Sequence, residues 1–362
     1  MADGPADHHF HKLRLLRTAN VGPVTYRQLV ARFGTAVAAI EALPNLAARA
    51  GRRDLRAADP RAVERELGAI ERLGARPLFV DELAYPALLR ATDTAPPMLT
   101  VRGDLRLLAR TGIAIVGARN ASAAACRFAR GLSQQLALEG AAVVSGLARG
   151  IDTAAHVGAL QEGTIAVIAS GIDIAYPPEN AELQERIARD GLLIAEQPVG
   201  TEPLARHFPS RNRIIAGLAL GTVVVEAAPK SGSLITARIA AELGREVMAV
   251  PGSPLDPRAQ GCNQLIRDGA TLIQNAMDVL EQVRPIDARA VAQPVDGFEP
   301  AFDDVSATEL RAIIDLLGPT PVQVDEVVRL SGLPSPVVQT ALLELELGGR
   351  LERHAGGKVS LA

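Results

Sequence analysis

Residues 141–156 read AAVVSGLARGIDTAAH, an apolar β-branched run that gives way to small residues and then to a helical pattern. Ser145, Gly146 and Gly150 free the backbone where the strand ends. Asp152 stands where it can cap the next helix or orient a cation such as Arg149. His156 lies four residues on, so it shares a helix face with Asp152. The pair suits a structural hydrogen bond better than catalysis, because no Ser or Cys nucleophile is placed beside it. A strand, a glycine-bearing turn and a helix form the repeating unit of an open α/β sheet.

The same alternation extends in both directions. IAIVG (113–117), TIAVIAS (164–170), LLIAE (192–196), TVVVEA (222–227) and EVMAV (246–250) are short apolar runs. Helical patterns separate them at 122–139, with Ser122 as N-cap, and at 151–161, 180–190, 208–219, 232–244 and 262–268. Near-continuous apolar strands between helices predict a parallel sheet covered on both faces.

Outside this block the pattern changes. NVGPVTYRQLVARFGTAVAAIEAL (20–43) is a Gly-Pro turn and a helix, then a turn at Phe33-Gly34-Thr35 and another helix. It resembles a helix-hairpin-helix or SAM-like module, and a plain helical packing domain has the same outline. His8, His9 and His11 read as an irregular tail more than as a metal site. Residues 285–304, rich in Pro, Ala and Asp, read as a linker. Residues 305–362 carry three helical patterns and then RLERHAGGKVSL, two short strands about a Gly-Gly turn, the outline of a winged helix. The expected domains are 1–80 (helical), 81–284 (α/β core), 285–304 (linker) and 305–362 (winged helix).

Bulk composition narrows the function classes. Of 362 residues, 48% are hydrophobic and 22% charged, an ordinary globular balance, and net charge is −3. The global field will not attract nucleic acid, so any polyanion site has to be a local basic patch. Aromatics at 3%, with no Trp, argue against an extended base-stacking platform. Two cysteines, Cys126 and Cys262, give neither a disulfide framework nor a metal cluster. No segment has signal-peptide or membrane-spanning character, so a cytoplasmic location without membrane association is expected.

The candidate site residues lie where strands give way to helices. In IVGARN, Gly117 permits a tight turn and Arg119 follows. The dinucleotide fingerprint needs two further glycines, so a nicotinamide cofactor is disfavoured and Arg119 is free for phosphate or for a salt bridge. RHFPSRNR (206–213) sets Arg206, Arg211 and Arg213 about Phe208. Cations on phosphate and a ring on a base suit a single strand; a core Phe208 with arginines on carboxylates is the competing arrangement. EAAPKSGSLITAR (226–238) puts Lys230, Ser231, Gly232 and Ser233 at a helix start, an anion cradle without Walker spacing. In the winged-helix segment the third helix carries no Lys or Arg but Glu344 and Glu346, so a protein-interaction or regulatory role is expected over reading of base sequence.

The run IVGARN, SGLARGIDTAAH, GIDIAYPPEN, FPSRNRIIAGL, VEAAPKSGSLITAR, VPGSP and GCNQLIRDGA, in that order over about 80–275, resembles the DprA/Smf (DNA-processing protein A) family. AYPALLR (84–90) and PPMLTVRGD (96–104) resemble its lead-in. The resemblance implies an extended Rossmann-like domain that dimerises through itself. It further implies binding and protection of incoming single-stranded DNA, and loading of RecA recombinase during natural transformation. No turnover and no cofactor are implied. By position, Arg119 and Phe208 fall on family DNA-contact positions, and Arg149, Arg211, Arg213 and Lys230 lie in the same motif blocks. Where some relatives have Lys three residues before the Phe, this chain has Ala205, with Arg206 adjacent as a substitute. The enzymatic alternative is a phosphoribohydrolase-like protein on a related fold. It wants an acid where this chain has Ala237 and Arg238. A third alternative is a transcription regulator acting through 305–362.

Overall fold

The computed structural model describes residues 5–49, 55–290, 305–354 and 356–362, which form two compact units: 1–65 with 294–362, and 66–293.

In the first unit, α1 (Pro5–Leu16), α2 (Pro23–Phe33) and α3 (Ala36–Arg49) form a helical module. Pro23 opens α2 at its first turn, where its missing N–H costs nothing. Gly34 ends it with φ 76°, a conformation that favours glycine. Leu15, Leu29 and Leu43, all at 0% exposure, anchor the core. His8, His9 and His11 lie on α1, which corrects the expectation of an irregular tail: the helical pattern of Phe10 and Leu13 extends back through them. α4 spans Pro60–Arg72.

The second unit is built on a nine-stranded sheet. It begins with β1 (Arg76–Phe79), the short α5 (Ala87–Arg90) and β2 (Met98–Gly103). Strands and helices then alternate: β3 (Gly112–Gly117), α6 (Ala123–Leu138), β4 (Ala142–Ser145), α7 (Ile151–Ala159), β5 (Thr164–Ile168), α8 (Ala181–Asp190), β6 (Leu192–Ala195), α9 (His207–Leu218), β7 (Gly221–Val225), α10 (Gly232–Glu242), β8 (Glu246–Ala249), α11 (Gln260–Arg267), β9 (Thr271–Leu272) and α12 (Ala276–Ala290). The strand order is β1-β2-β6-β5-β4-β3-β7-β8-β9. All pairings from β6 to β9 are parallel, whereas β2 joins β6, and β1 joins β2, antiparallel. The expected parallel sheet is therefore extended at one edge by an antiparallel pair. Separate apolar layers cover the two faces, one around Val116, Val144 and Val167, the other around Ile113, Val143 and Val223. α12 runs to Ala290, into the stretch read as linker from 285; residues 291–304 of that stretch lie outside the described residues.

Back in the first unit, α13 (Ala307–Leu316), β10 (Val322–Gln323), α14 (Val324–Ser331), α15 (Ser335–Leu347), β11 (Leu351–His354) and β12 (Lys358–Leu361) make a winged-helix domain. The three strands pair in the order β10-β12-β11. A capping box between Ser306 and Glu309 starts α13, satisfying two backbone donors reciprocally. The molecule is thus an α/β protein with an extended Rossmann-like, mostly parallel sheet, an N-terminal helix-hairpin-helix module and a C-terminal winged helix.

Candidate nucleic-acid interface

The chain runs β3, β4, β5, β6 toward one edge of the sheet and then returns to build β7, β8, β9 on the other. The order reverses between β3 and β7, and open α/β sheets bind ligands outside the carboxyl ends of the strands at such a point. Two adjoining cavities lie there, of about 400 Å3 and about 330 Å3. The larger one lies between the turn after β3 (Gly117–Asn120) and the start of α10 (Ser231–Ser233). The smaller one extends past Gly146 and Arg149, after β4, to Tyr176 and Pro203. Arg119, Asn120, Ala148, Phe208 and Arg211 line both.

Glycines let these turns approach one another. A Cβ at Gly117 would fall 1.9 Å from the Val225 carbonyl oxygen, and one at Gly150 (φ 72°) would fall 2.3 Å from that of Ala118. At Gly146 a Cβ would lie 1.1 Å from Arg211 Nη1, so the missing side chain is the slot that holds the guanidinium. Ser145 Oγ donates to the Ile115 carbonyl at 2.6 Å, tying β4 to β3.

Arg211 is 6% exposed, with its Nη1 3.9 Å from Asp152 Oδ2. Asp152 also accepts from the Gly146 and Ala148 backbone N–H groups, at 3.2 and 3.3 Å. Burial raises the Asp152 carboxyl, while Arg211 and the two amides pull it back; burial likewise lowers Arg211. Asp152 therefore orients Arg211 and not Arg149, whose partner is Glu179. The expected Asp152–His156 hydrogen bond is absent among the described contacts: His156 Nδ1 meets Thr164 Oγ1 at 2.7 Å. Burial, then Arg211, lowers His156 to about 3, so it sits neutral, buried on α7 against the start of β5.

Phe208 is half-buried on the first turn of α9. The Arg119 guanidinium lies 5.2 Å from its ring centroid and the Tyr176 ring 5.8 Å away. Tyr176, 45% exposed, went unnoticed among the candidate residues, although the aromatic before Pro-Pro in GIDIAYPPEN is the signal that could have found it. Arg119 and Arg149 are exposed at the cavity rim. Ser231 and Ser233 hydroxyls meet at 2.8 Å, and Asn212 Nδ2 donates to the Gly232 carbonyl at 3.4 Å, which fixes the start of α10 against α9. Lys230, exposed, holds φ 67° on the preceding turn. Arg206 is exposed at the N-cap of α9. Arg213 donates instead to the Thr94 carbonyl and to Glu196, and lines neither cavity. The structure thus brings Arg119, Arg149, Phe208, Arg211, Ser231 and Ser233 around one groove, and sets Arg206, Arg213 and Lys230 outside the two cavity linings.

One anion already resides at the switch point. Glu226, at φ 52° just after β7, accepts from the Ser122 backbone N–H at 2.8 Å and from its hydroxyl at 2.6 Å. Ser122, as expected, caps α6 by accepting from Ala125 N at 3.1 Å. In a dinucleotide-binding fold this first helix N-terminus seats the pyrophosphate. Here a carboxylate just after the neighbouring strand β7 takes the N-cap N–H and hydroxyl of that helix. On α10, Ala237 is buried and Arg238 pairs with Glu242 at 3.0 Å, so no acid occupies either position.

Comparison with known proteins gives three family-model matches: DNA recombination-mediator protein A at residues 76–284, DprA-like N-terminal HHH domain at 6–69, and DprA winged helix domain at 299–357. The chain is 48% identical over 200 residues to DNA processing protein DprA of Streptococcus pneumoniae, covering 55% of this chain and 71% of that one. An X-ray structure of DprA from the same species superposes with a TM-score of 0.67 at 35% identity, over 76% of this chain and 98% of that chain. A structure of DNA processing protein A from Helicobacter pylori, described by its single-stranded DNA binding mode, superposes with a TM-score of 0.53 at 28% identity, over 59% and 96%. Among the described residues no single helix is long and apolar enough to cross a membrane.

Proposed function

Because the chain belongs to the DNA recombination-mediator protein A (DprA/Smf) family, we propose that it binds single-stranded DNA without regard to sequence, in the groove at the β3–β7 switch point. The observation that carries this reading is the cluster of exposed Arg119 and Tyr176 about the half-buried Phe208 ring at the two cavities. An aromatic face flanked by a cation suits a base and its phosphate, and stacking tolerates any base. Arg119 and Arg149 take phosphates at the rim, and the amides and hydroxyls at the start of α10 take another. Arg211, already paired with Asp152, supplies positive potential from below. Arg206 and Lys230 extend the basic track along the strand's exit.

The bound strand is then protected and handed to RecA in the cytoplasm, by a dimer joined through the Rossmann-like domain. This is a binding role without turnover. The H. pylori protein's single-strand binding mode and the family membership both support it. A titration of single- and double-stranded oligonucleotides across salt, with and without RecA, tests it. Single strands should bind tighter, with log affinity falling linearly in log salt and faster RecA nucleation on the bound strand. Equal or better binding of duplex overturns the reading.

A further inference from the structure

The paired helices α14 and α15 stand where a helix-turn-helix protein carries its support and recognition helices, the second of which enters the major groove. That use requires one face of α15 to be free. Instead, nine of its 13 residues are buried. Leu342 and Leu345 fill the winged-helix core. Leu343 and Leu347, on another side, belong to the core of the N-terminal helices. A helix that is apolar all round is a buried helix.

Polar contacts fix the same arrangement. Gln28 Nε2 donates to Gln339 Oε1 at 3.2 Å, and Asn20 Nδ2 donates to the Leu347 carbonyl at 3.3 Å. Arg49 Nη1 stands 3.5 Å from Glu344 Oε1, whose side chain is 1% exposed. A buried carboxylate is tolerated only beside a cation or donors, so Glu344 presupposes Arg49. Glu346 is taken by Arg353 of the wing at 2.8 Å, whereas Glu344, which unfits α15 for phosphate, faces a cation of the N-terminal module.

We propose that α15 is a protein-docking helix whose partner is the N-terminal helical module of the same chain. The two ends of the polypeptide close on one another as a single folding unit. Duplex DNA is thereby shut out of the face by which helix-turn-helix proteins read it. This inference is independent of strand binding by the Rossmann-like domain.

A protease site inserted within residues 291–304 of the full chain tests it. After cutting at micromolar concentration, the 305–362 fragment should co-elute with the remainder on gel filtration; separation overturns the proposal. Arg49→Ala should lower the retained fraction at least tenfold on dilution, and unchanged retention overturns the role of that pair. Should cleavage perturb folding, Gln28→Cys with Gln339→Cys in the uncut chain should be joined by a bis-maleimide crosslinker long enough to replace the two Gln side chains, detected by peptide mapping, and absence of the crosslink overturns the docking. Gln339→Lys in the full chain should leave duplex affinity within twofold. A tenfold gain would mean that the face is open, and the proposal fails.

Discussion

Arg211 depends on an atom that is missing. With a Cβ at position 146 overlapping its Nη1, Gly146→Ala has to expel the guanidinium and leave Asp152 buried beside vacated space. Breaking a buried pair costs about 3–5 kcal/mol, so Tm should drop by several degrees and single-strand affinity with it. Gly131→Ala, mid-α6 with nothing near its added Cβ, is the control and should gain about 0.5–1 kcal/mol. Phe208→Ala should lose about 1–3 kcal/mol of strand affinity. Arg119→Ala should reduce the salt slope by about 0.7; equilibrium titrations at several salt concentrations read both. His156 gives a pH signature. Its folded pKa lies near 3 against an ordinary 6.5, so its stabilising contribution is complete above pH 6.5. That contribution drains as pH falls toward 3, by up to about 1.4 kcal/mol per pH unit. Denaturant midpoints at pH 7.5, 5.5 and 4.5 should converge between His156→Asn and the parent chain as pH falls. At this scale the sequence was only partly informative. Arg119, Phe208 and the serines were legible because each follows a strand at a turn. The partners were not: Asp152 and His156 share a helix face, yet tertiary packing sends one to Arg211 on α9 and the other to Thr164 at the start of β5.

Among the elements, α6 and β7 are joined by one carboxylate. Removing it in Glu226→Ala leaves the Ser122 N–H unpaired at a partly buried helix start, a loss of about 1–3 kcal/mol. Sulfate at tens of millimolar should restore part of the lost Tm in that variant and little in the parent, because a helix N-terminus accepts any anion that fits. The parallel strands and their helices were legible from apolar runs bounded by glycine turns, usually within two residues of their ends. β1, β2 and β9 were not. β9 has only two residues, and β2 ends in Arg102-Gly103, so neither presents a long apolar run. α1 was obscured by its three histidines, which contribute little helix preference of their own.

For the whole molecule, two compact units with separate cores predict two unfolding transitions by calorimetry. Hydrogen exchange should show residues 8–49 and 335–347 opening together, with the strands of the nine-stranded sheet protected independently of them. The alternation of strand and helix made the central domain readable in advance. The closure of the chain ends did not show, because Leu343 and Leu347 look like ordinary core positions until their neighbours from the N-terminal helices are in place. One last consequence follows from Glu226. A fold that closes the start of its first sheet helix with its own side chain leaves a dinucleotide fewer donors to hold at that point. If the chain binds DNA as proposed, adding millimolar ATP or NAD to the strand titration should leave its affinity unchanged, since the first sheet helix answers to the chain's own carboxylate and not to a visiting nucleotide.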